Sequence, residues 1–461
     1  SLSYENVNYI VDSIEYGVME DSKASDQLSE EKTVQVSLHM CENIGKKSTK
    51  KKMKKKRGGC KRKITTEQVI ASKAVFDWAY SEKRLSAPSF DDFAVECRSG
   101  REKVRFELHC HSRFSDGFLS PTSLVAQAHS HGVKVLALTD HDTMSGIPEA
   151  IEAASKVSMK IIPGVEISTI LSSRETETEE LVHILAYYGS CGPSPYDEVD
   201  SFLSSIRDGR YSRAKQMLLK LERLKLPLKW ENVIKIAGKG VAPGRLHLAR
   251  ALLEAGHVEN LKEAFTKYLH DGGPAYATGS EPRAEDALKL IRRTGGVAVL
   301  AHPWTLKDAD AVVRRLAEAG LHGIEVYRRD GKLSVFSDLA DTYGLLKLGG
   351  SDFHGKGGTG ESQLGSVSVP VLDMHRFLVA ARPLWLESTK DVLRVFAENP
   401  CASNLTRAMR FGRKNLLKGS GGGNLGTETF DRLVSTWLTE EERQGADIAA
   451  MKSKLAGISL D

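Results

Sequence analysis

Between residues 104 and 354, short apolar segments alternate with amphipathic ones, and this alternation limits the possible fold more than any other feature of the sequence. The apolar segments have the length and composition of buried strands and lie at 104–108, 133–138, 160–162, 181–187, 296–300, 323–326 and 345–348. Helices are predicted between them, for example where the N-cap residue Ser120 precedes Pro121 at the first helical position. Such alternation is typical of a β/α barrel.

The alternation is interrupted once. Residues 196–271 read as consecutive helices, with apolar side chains at helical spacing such as Met217, Leu218, Leu221 and Leu224. We therefore predict an α/β protein in which a barrel at residues 103–385 carries a helical insertion at about 196–275.

The two ends of the chain lack this pattern. Residues 1–65 are polar and weakly patterned, which predicts a disordered tail. Residues 66–102 form a helical lead-in, with a helix predicted at 67–79. From about residue 386 the pattern fades into an extension at 386–461, in which the glycine-rich segment 419–423 predicts a flexible linker and 430–443 a last helix.

Positive charge is concentrated in one segment of the predicted tail. Residues 46–63 contain twelve lysines or arginines and no acidic residue, and removing those twelve charges changes the formal net charge from +5 to −7. A mildly acidic body is poorly suited to tracking along a long nucleic acid. The basic run predicts nuclear import or loose binding to polyanions.

Other features favour an intracellular protein. The six cysteines have no paired spacing, which predicts free thiols in a reducing compartment. No apolar stretch approaches the roughly 20 residues that a membrane span needs, and the first 45 residues contain no secretory pattern. We expect a nuclear or cytoplasmic location.

Histidines and carboxylates gather where the predicted strands end. His109 and His111 follow the first strand, and in an extended segment residues i and i+2 point to the same side. The full set of candidate metal ligands is His109, His111, Asp116, His141, Glu166, His183, His302, Asp352 and His354. In a β/α barrel the C-terminal strand ends converge on the active site. Imidazoles and carboxylates without thiolates predict a hydrolytic centre for zinc, manganese, iron or magnesium.

Each of these residues taken alone has a simpler explanation. A single His-x-His motif is a weak signal. His183 fits a buried strand histidine, His302 fits a turn residue, and the segment 139–142 fits a helix cap. Their joint occurrence at successive strand ends favours metal binding over these separate explanations.

In order along the chain, these residues resemble the motif series of the PHP (polymerase and histidinol phosphatase) phosphoesterases over about residues 103–372. The motifs are His109-Cys110-His111, Ser115-Asp116-Gly117, Thr139-Asp140-His141-Asp142, Gly164-Val165-Glu166, His183-Ile184-Leu185, Ala301-His302-Pro303 and Gly350-Ser351-Asp352-Phe353-His354-Gly355. The resemblance implies a distorted (β/α)7 barrel and a metal-dependent phosphoesterase. It also implies three divalent ions, with manganese as the expected metal and zinc, iron or magnesium as alternatives.

The resemblance further implies how the ligands divide. One ion takes His109, His111, Glu166 and Asp352, a second shares Glu166 and adds His183 and His302, and a third takes Asp116, His141 and His354. Hydroxide formed at the metals would attack phosphorus. Asp140 is expected to act from outside the ligand set, and His302 or a nearby water to assist the leaving group.

The helical insertion resembles one group within this family more than the others. Its segment Gly244-Arg245-Leu246-His247 resembles the group that includes 3′,5′-nucleoside bisphosphate phosphatase and 5′–3′ exonuclease acting on short RNA and DNA, although members often have proline where this chain has Leu246. Arg245 is either an ordinary helix-start residue or a ligand of substrate phosphate, for which its planar guanidinium is suited. We expect the substrate to be a nucleotide or a short RNA or DNA oligonucleotide.

Two other functions fit parts of the sequence. A histidinol-phosphate phosphatase would share the metal motifs, but the Arg245 segment argues against it. A non-catalytic nucleic-acid adaptor would use the basic run at 46–63, but the complete ligand set argues against that.

Overall fold

The computed structural model describes residues 65–80, 104–172, 179–238, 240–270, 272–329, 334–355, 361–411, 430, 437–438 and 440–456. Seven strands form one sheet: β1 (Arg105–Glu107), β2 (Val133–Leu138), β3 (Lys160–Ser172), β4 (Glu179–Tyr187), β5 (Val297–Leu300), β6 (Gly323–Glu325) and β7 (Leu346–Leu348). Each coincides with a predicted strand, so the predicted series is confirmed. β3 extends well beyond the predicted segment. The prediction was too short because buried polar residues such as Glu166 and Thr169 interrupt the apolar pattern of the strand.

The strands pair in chain order from β1 to β7. Neighbouring strands are parallel except for β3–β4 and β4–β5, so β4 runs in the reverse direction. The segments after β1 and β7 are joined by two backbone hydrogen bonds, from Asp352 N to His109 O (2.9 Å) and from His111 N to Phe353 O (2.8 Å). The sheet therefore closes into a distorted seven-stranded barrel, as predicted.

Helices lie between the strands and at both ends of the barrel. In chain order they are α1 (Thr66–Ala79), α2 (Pro121–Ser130), α3 (Ile147–Val157), α4 (Tyr196–Arg223), α5 (Trp230–Ala237), α6 (Arg245–Glu254), α7 (Leu261–Ala264), α8 (Ala284–Arg293), α9 (Ala309–Glu318), α10 (Ser334–Thr342), α11 (Val371–Glu398), α12 (Ala402–Ala408), α13 (Glu440–Arg443) and α14 (Ala446–Leu455). The predicted insertion is helical, comprising α4 to α7. In the part of the chain that the structure describes, none of the helices has the length and apolarity that crossing a membrane requires.

The C-terminal part differs from the expectation. α11 continues past residue 385, where the barrel was expected to end, and α12 follows directly. The predicted boundary at residue 385 therefore falls inside a helix. It arose because α11 buries polar residues there, Ser388 and Thr389, which weaken the apolar periodicity.

Several predicted features lie partly or wholly outside the described residues. The tail, its basic run and the linker at 419–423 belong to this group and stay predictions. Of the helix predicted at 430–443, the structure describes residue 430, residues 437–438 and the last turn, α13. The helix that follows, α14, was not predicted.

Alternate side chains of the strands fill the interior of the barrel. The apolar ones pack into a buried cluster with α1 and α11, and they include Phe106, Leu108, Val135, Ala137, Ile162, Leu185, Tyr187, Val297 and Val299. Because strand side chains alternate between faces, Glu166 shares the inner face with Ile162, and His183 shares it with Leu185. The interior is therefore apolar along most of its length and becomes polar at the C-terminal strand ends. On the outer face, α2, α3, α8 and α9 cover a second apolar cluster.

α1 closes the apolar interior at the end remote from these polar groups. The helix begins with a capping box between Thr65 and Gln68, and its Trp78 is fully buried. Lys160, the first residue of β3, donates a hydrogen bond to Trp78 O (2.6 Å), and its Nζ lies 4.6 Å from the centre of the Trp78 ring. A cation held by a carbonyl and an aromatic face links α1 to the barrel.

Removal of the Trp78 ring should therefore destabilise the whole barrel. We expect Trp78→Ala to lower the free energy of unfolding by about 3–5 kcal/mol, the usual cost of truncating a buried aromatic side chain. The measurement is denaturant unfolding followed by circular dichroism. Asp77→Ala, at the exposed neighbouring position, is the control and should stay within about 0.5 kcal/mol of the wild type. Equal effects of the two changes would mean that α1 is not part of the core.

Candidate metal centre

The residues predicted as metal ligands lie together at the C-terminal strand ends, and they are His109, His111, Asp116, His141, Glu166, His183, His302, Asp352 and His354. His183 reaches this end because β4 is reversed, which places Ser168 of β3 and His183 of β4 in register. The two backbone hydrogen bonds between the ends of β1 and β7 bring His109 and His111 next to Asp352. Residues far apart in sequence are thus assembled by the topology of the sheet.

Glu166 occupies the middle of this cluster and is fully buried. Its Oε2 lies 3.2 Å from His109 Nε2 and 3.2 Å from His111 Nε2. Its Oε1 lies 3.0 Å from His183 Nδ1 and 2.9 Å from His302 Nε2. Oε2 also lies 3.4 Å from His141 Nδ1. Each carboxylate oxygen therefore faces a different set of histidines, so Glu166 could be shared by two ions.

The remaining carboxylates lie on either side of His111. Asp352 Oδ1 lies 3.3 Å from His109 Nε2 and 3.1 Å from His111 Nε2. Asp116 Oδ1 lies 3.3 Å from His354 Nε2, and Asp116 Oδ2 lies 3.9 Å from His141 Nε2.

Three groups of donor atoms have mutual distances within 4.8 Å: His109, His111, Glu166 and Asp352; His111, Asp116, His141 and His354; and His141, Glu166 and His183. The first group matches the ligand set expected for one ion. The other two resemble the expected sets but share His111 and His141, so the donors form one continuous cluster.

Two features show that this cluster fits divalent metal ions. His111 Nδ1 and His141 Nδ1 are buried and make no hydrogen bond to any residue that the structure describes. His109 Nε2 and His111 Nε2 lie 3.1 Å apart. Buried nitrogens without hydrogen bonds are costly, and a cation coordinated by imidazole and carboxylate would satisfy them.

The carboxylates of Glu166, which is fully buried, and of Asp352, whose side chain is 25% exposed, both favour the ionised form. Burial alone would raise the pKa of Glu166, but His141, His109 and His183 hold that pKa well below its ordinary value. Burial likewise opposes ionisation of Asp352, and His109 and His354 nevertheless keep its pKa well below normal. Buried, ionised carboxylates create a negative potential that attracts cations.

Buried acids behind the ligands hold two of the histidines in place. Glu325 Oε1 lies 3.1 Å from His109 Nδ1, and Glu325 Oε2 accepts a hydrogen bond from His302 N (2.8 Å). Glu325 thereby orients His109 so that its Nε2 faces the cluster. Partners of this kind fix the ring orientation of metal-binding histidines. Sequence reasoning missed Glu325, although an acid at the end of the short apolar strand β6 repeats the pattern seen at Glu166.

Asp140, predicted to act from outside the ligand set, lies behind the loop that carries Asp116. Asp140 Oδ1 accepts hydrogen bonds from Ser112 N (2.7 Å) and Ser115 Oγ (2.7 Å), and Asp140 Oδ2 accepts one from Ser112 Oγ (2.7 Å). Its oxygens are thus occupied by the loop, which makes Asp140 a positioning residue for Asp116 in this arrangement.

A small cavity opens beside the cluster, between the barrel and the helical insertion. Asp116 and His141 line it on the barrel side, and Arg207, Arg210 and His247 line it on the insertion side. The arginines come from α4, where nothing in the sequence separates them from the other charged residues of that helix, and sequence reasoning missed them.

Asp142 joins these arginines to the ligand segment. Arg207 Nη1 donates a hydrogen bond to Asp142 O (2.6 Å), and Arg210 Nε lies 2.9 Å from Asp142 Oδ2. Asp142 has a φ of 54°, a left-handed conformation that an ordinary residue adopts only when its surroundings determine it. The insertion is therefore coupled to the segment that positions His141.

Arg245, the residue predicted to bind substrate phosphate, lies elsewhere in the insertion. It is 4% exposed, its Nη1 is 3.4 Å from Leu269 O, and its guanidinium carbon is 5.8 Å from the centre of the Tyr276 ring. It does not line the cavity, although its neighbours Gly244 and Leu246 do. Its role in substrate binding stays a prediction.

Comparison with known proteins identifies a family. The family model described as PHP domain matches residues 107–276. A 3′,5′-nucleoside bisphosphate phosphatase from Chromobacterium violaceum is 34% identical over 299 residues, which cover 63% of this chain and 99% of the relative. A 5′-3′ exoribonuclease from Haemophilus influenzae is 34% identical over 257 residues, which cover 54% of this chain and 90% of the relative.

A solved structure gives the same result for the fold. A protein from Bifidobacterium adolescentis, described as a metal-dependent phosphoesterase, aligns with a TM-score of 0.53 and 28% identity, covering 60% of this chain and 96% of that one. The alignment supports the barrel architecture.

The position of Glu325 leads to a prediction about metal affinity. In Glu325→Gln the amide group cannot accept hydrogen bonds from both His109 and His302, so His109 loses its fixed orientation. We expect manganese affinity of the chelator-treated protein to fall by about 10- to 100-fold, measured by isothermal titration calorimetry. Glu318→Gln, at an exposed position of α9, should bind manganese like the wild type. Unchanged affinity in Glu325→Gln would show that the contact does not support metal binding.

Proposed function

Because this chain belongs to the PHP family of metal-dependent phosphoesterases, we propose that it removes or cleaves the 3′ phosphate of nucleotides that also carry a 5′ phosphate. The chain is a hydrolase of phosphate esters, and the choice of substrate is the proposal. It rests on the cavity beside the metal cluster, which brings Arg207 and Arg210 opposite Asp116 and His141.

Two classes of substrate share the chemical unit that this geometry fits. A nucleoside 3′,5′-bisphosphate and the first nucleotide of a 5′-phosphorylated oligonucleotide both carry phosphate on the 5′ and the 3′ oxygen. We assign the 3′ phosphate to the metal cluster and the 5′ phosphate to the cavity. The two activities then differ only in whether a further nucleoside follows the scissile phosphate.

Arg207 and Arg210 suit the second phosphate better than Arg245 does. Guanidinium groups bind phosphate oxygens through paired N–H donors. A guanidinium has five such donors, more than Arg207 uses in its contacts with Asp142 and Asp200.

The chemistry divides between the metals and the protein. When bound, divalent ions, for which manganese is our assignment, neutralise phosphoryl oxygens and acidify a coordinated water to a pKa of about 7. Among the protein groups, His302 is suited to ligation rather than to proton donation, because Nε2 faces Glu166 (2.9 Å) and Nδ1 faces Thr305 Oγ1 (3.3 Å). The arginines then orient the nucleotide so that its 3′ phosphate meets the cluster.

A preference for short substrates follows from charge. Without the twelve positive residues of 46–63, the formal net charge of the chain is −7. Attraction for a nucleic acid must then come from the metals and the two arginines, which contact few phosphates. Few contacts also imply a weak dependence of activity on salt concentration.

A comparison of substrates tests the proposal. With manganese added, phosphate release or strand shortening should occur with adenosine 3′,5′-bisphosphate and a short 5′-phosphorylated RNA, and far less with histidinol phosphate, which lacks a second phosphate. Asp352→Ala should reduce turnover more than about 100-fold, because a ligand should matter more than its supporting partners. Asp338→Ala, at an exposed position, is the control. Equal efficiency on histidinol phosphate would favour a histidinol-phosphate phosphatase instead.

The arginines give a second, more specific prediction. Arg207→Ala should lower kcat/KM for adenosine 3′,5′-bisphosphate by about 10- to 100-fold, mainly through KM, the scale of one charge-assisted contact to phosphate. The loss should be much smaller on adenosine 3′-monophosphate, which has no 5′ phosphate to bind. Arg223→Ala, at an exposed position of the same helix, should behave like the wild type. If kcat/KM fell in Arg245→Ala and not in Arg207→Ala, Arg245 would be the residue that binds the phosphate.

A further inference from the structure

Trp304 lies at the mouth of the barrel, in the 3-10 turn Pro303–Thr305 that directly follows His302. Its ring is partly exposed and meets the His302 ring edge-on, with centroids 6.4 Å apart and planes at 66°. Phe336 of α10 supports the indole from another side, with centroids 6.2 Å apart and planes at 67°. The indole is therefore held in a fixed orientation next to the metal cluster.

Arg328, which follows β6, adds a cation to this aromatic ring. Its guanidinium carbon lies 4.3 Å from the centre of the Trp304 ring. A guanidinium at this distance from an indole forms a cation–π contact. Arg328 and Trp304 thus present a planar cation and a planar aromatic system together at the mouth, both only partly buried.

The pair lies on the far side of the metal cluster from the arginine cavity. The cavity is lined by Asp116 and His141, which follow β1 and β2, whereas Trp304 follows β5. In the closed barrel, β3 and β4 separate these positions in one direction, and β6 and β7 separate them in the other. A nucleotide chain that crosses the cluster from the cavity would leave it near Trp304.

We propose that Trp304 and Arg328 form a stacking site for the base of the nucleotide that follows the scissile phosphate. The inference rests on the proposed function, which places the 5′ phosphate of the first nucleotide in the cavity. Aromatic rings and guanidinium planes stack on bases of any sequence. A nucleoside bisphosphate has nothing beyond its 3′ phosphate and cannot use this site, so the pair favours oligonucleotides over bisphosphates.

A second aromatic residue at the mouth provides a matched comparison. Phe118 is 45% exposed, and the guanidinium carbon of Arg250 lies 5.0 Å from its ring centre. Its backbone N donates a hydrogen bond to His354 O (2.7 Å), and it is two residues from Asp116. Phe118 therefore lies on the side of the cluster where the first nucleotide binds, and that nucleotide is common to both substrate classes.

The test compares KM values for a 5′-phosphorylated dinucleotide and for the nucleoside 3′,5′-bisphosphate with the same first base. Trp304→Ala should raise the ratio of the dinucleotide KM to the bisphosphate KM by about 5- to 100-fold, the effect of losing one base–aromatic stack. Trp304→Phe should recover most of the wild-type ratio, because it restores an aromatic face. Phe118→Ala should leave this ratio close to the wild-type value.

Arg328→Ala provides the same test if Trp304→Ala does not fold. Because this variant keeps the indole, it should raise the ratio of the dinucleotide KM to the bisphosphate KM by a smaller factor. An unchanged ratio in both variants, with wild-type turnover on either substrate, would overturn the stacking site and leave the proposed function intact. Equal losses on the two substrates in Trp304→Ala would overturn it as well, since they would mean that the indole only supports His302. Absence of turnover on both substrates in the wild type would refute the proposed function itself.

Discussion

The structure depends on the burial of one ionised carboxylate. Glu166 is fully buried in the barrel, where an uncompensated charge would cost several kcal/mol. Its two oxygens each meet a pair of imidazoles at 2.9 to 3.2 Å. Those imidazoles come from the ends of β1 and β5 and from the reversed strand β4. A strand order that separated them would leave the charge without partners, so the position of Glu166 and the topology of the sheet require each other.

The candidate ligands in turn depend on a layer of buried acids. Glu325 contacts both His109 and the backbone of His302, and Asp140 occupies three donors of the loop before Asp116. Fixed ligands of this kind lose little entropy when an ion binds. Arg207 and Arg210 provide similar support further out, since their contacts with Asp142 connect the cavity to the segment that carries His141.

Much of the barrel and of the ligand cluster could be predicted from the sequence because both are encoded locally. A short apolar run predicts a strand, and a histidine or acid just after it predicts a position at the C-terminal rim. Arg207 and Arg210 could not be singled out, because an arginine on an amphipathic helix looks the same whether it faces solvent or a cavity. Glu325 lies at the end of a short apolar strand and could have been found by the same rule, whereas its contact with His109, 216 residues away, could not. The continuation of α11 past residue 385 was missed because buried Ser388 and Thr389 resemble surface residues.

The seam between β1 and β7 has a consequence for how the fold responds to its ions. The seam is held at its C-terminal end by two backbone hydrogen bonds, and the residues that make them, His109, His111, Phe353 and Asp352, include three of the proposed ligands. A metal ion that binds these side chains would also keep the two ends of the sheet together. By thermodynamic linkage, a ligand that binds only the closed barrel stabilises the closed barrel. If a chelator removed the bound metal, the barrel would open first between the segments that follow β1 and β7, while the strands on the opposite side would stay paired. The resistance of the His111 and Asp352 amides to hydrogen exchange should then rise when metal binds.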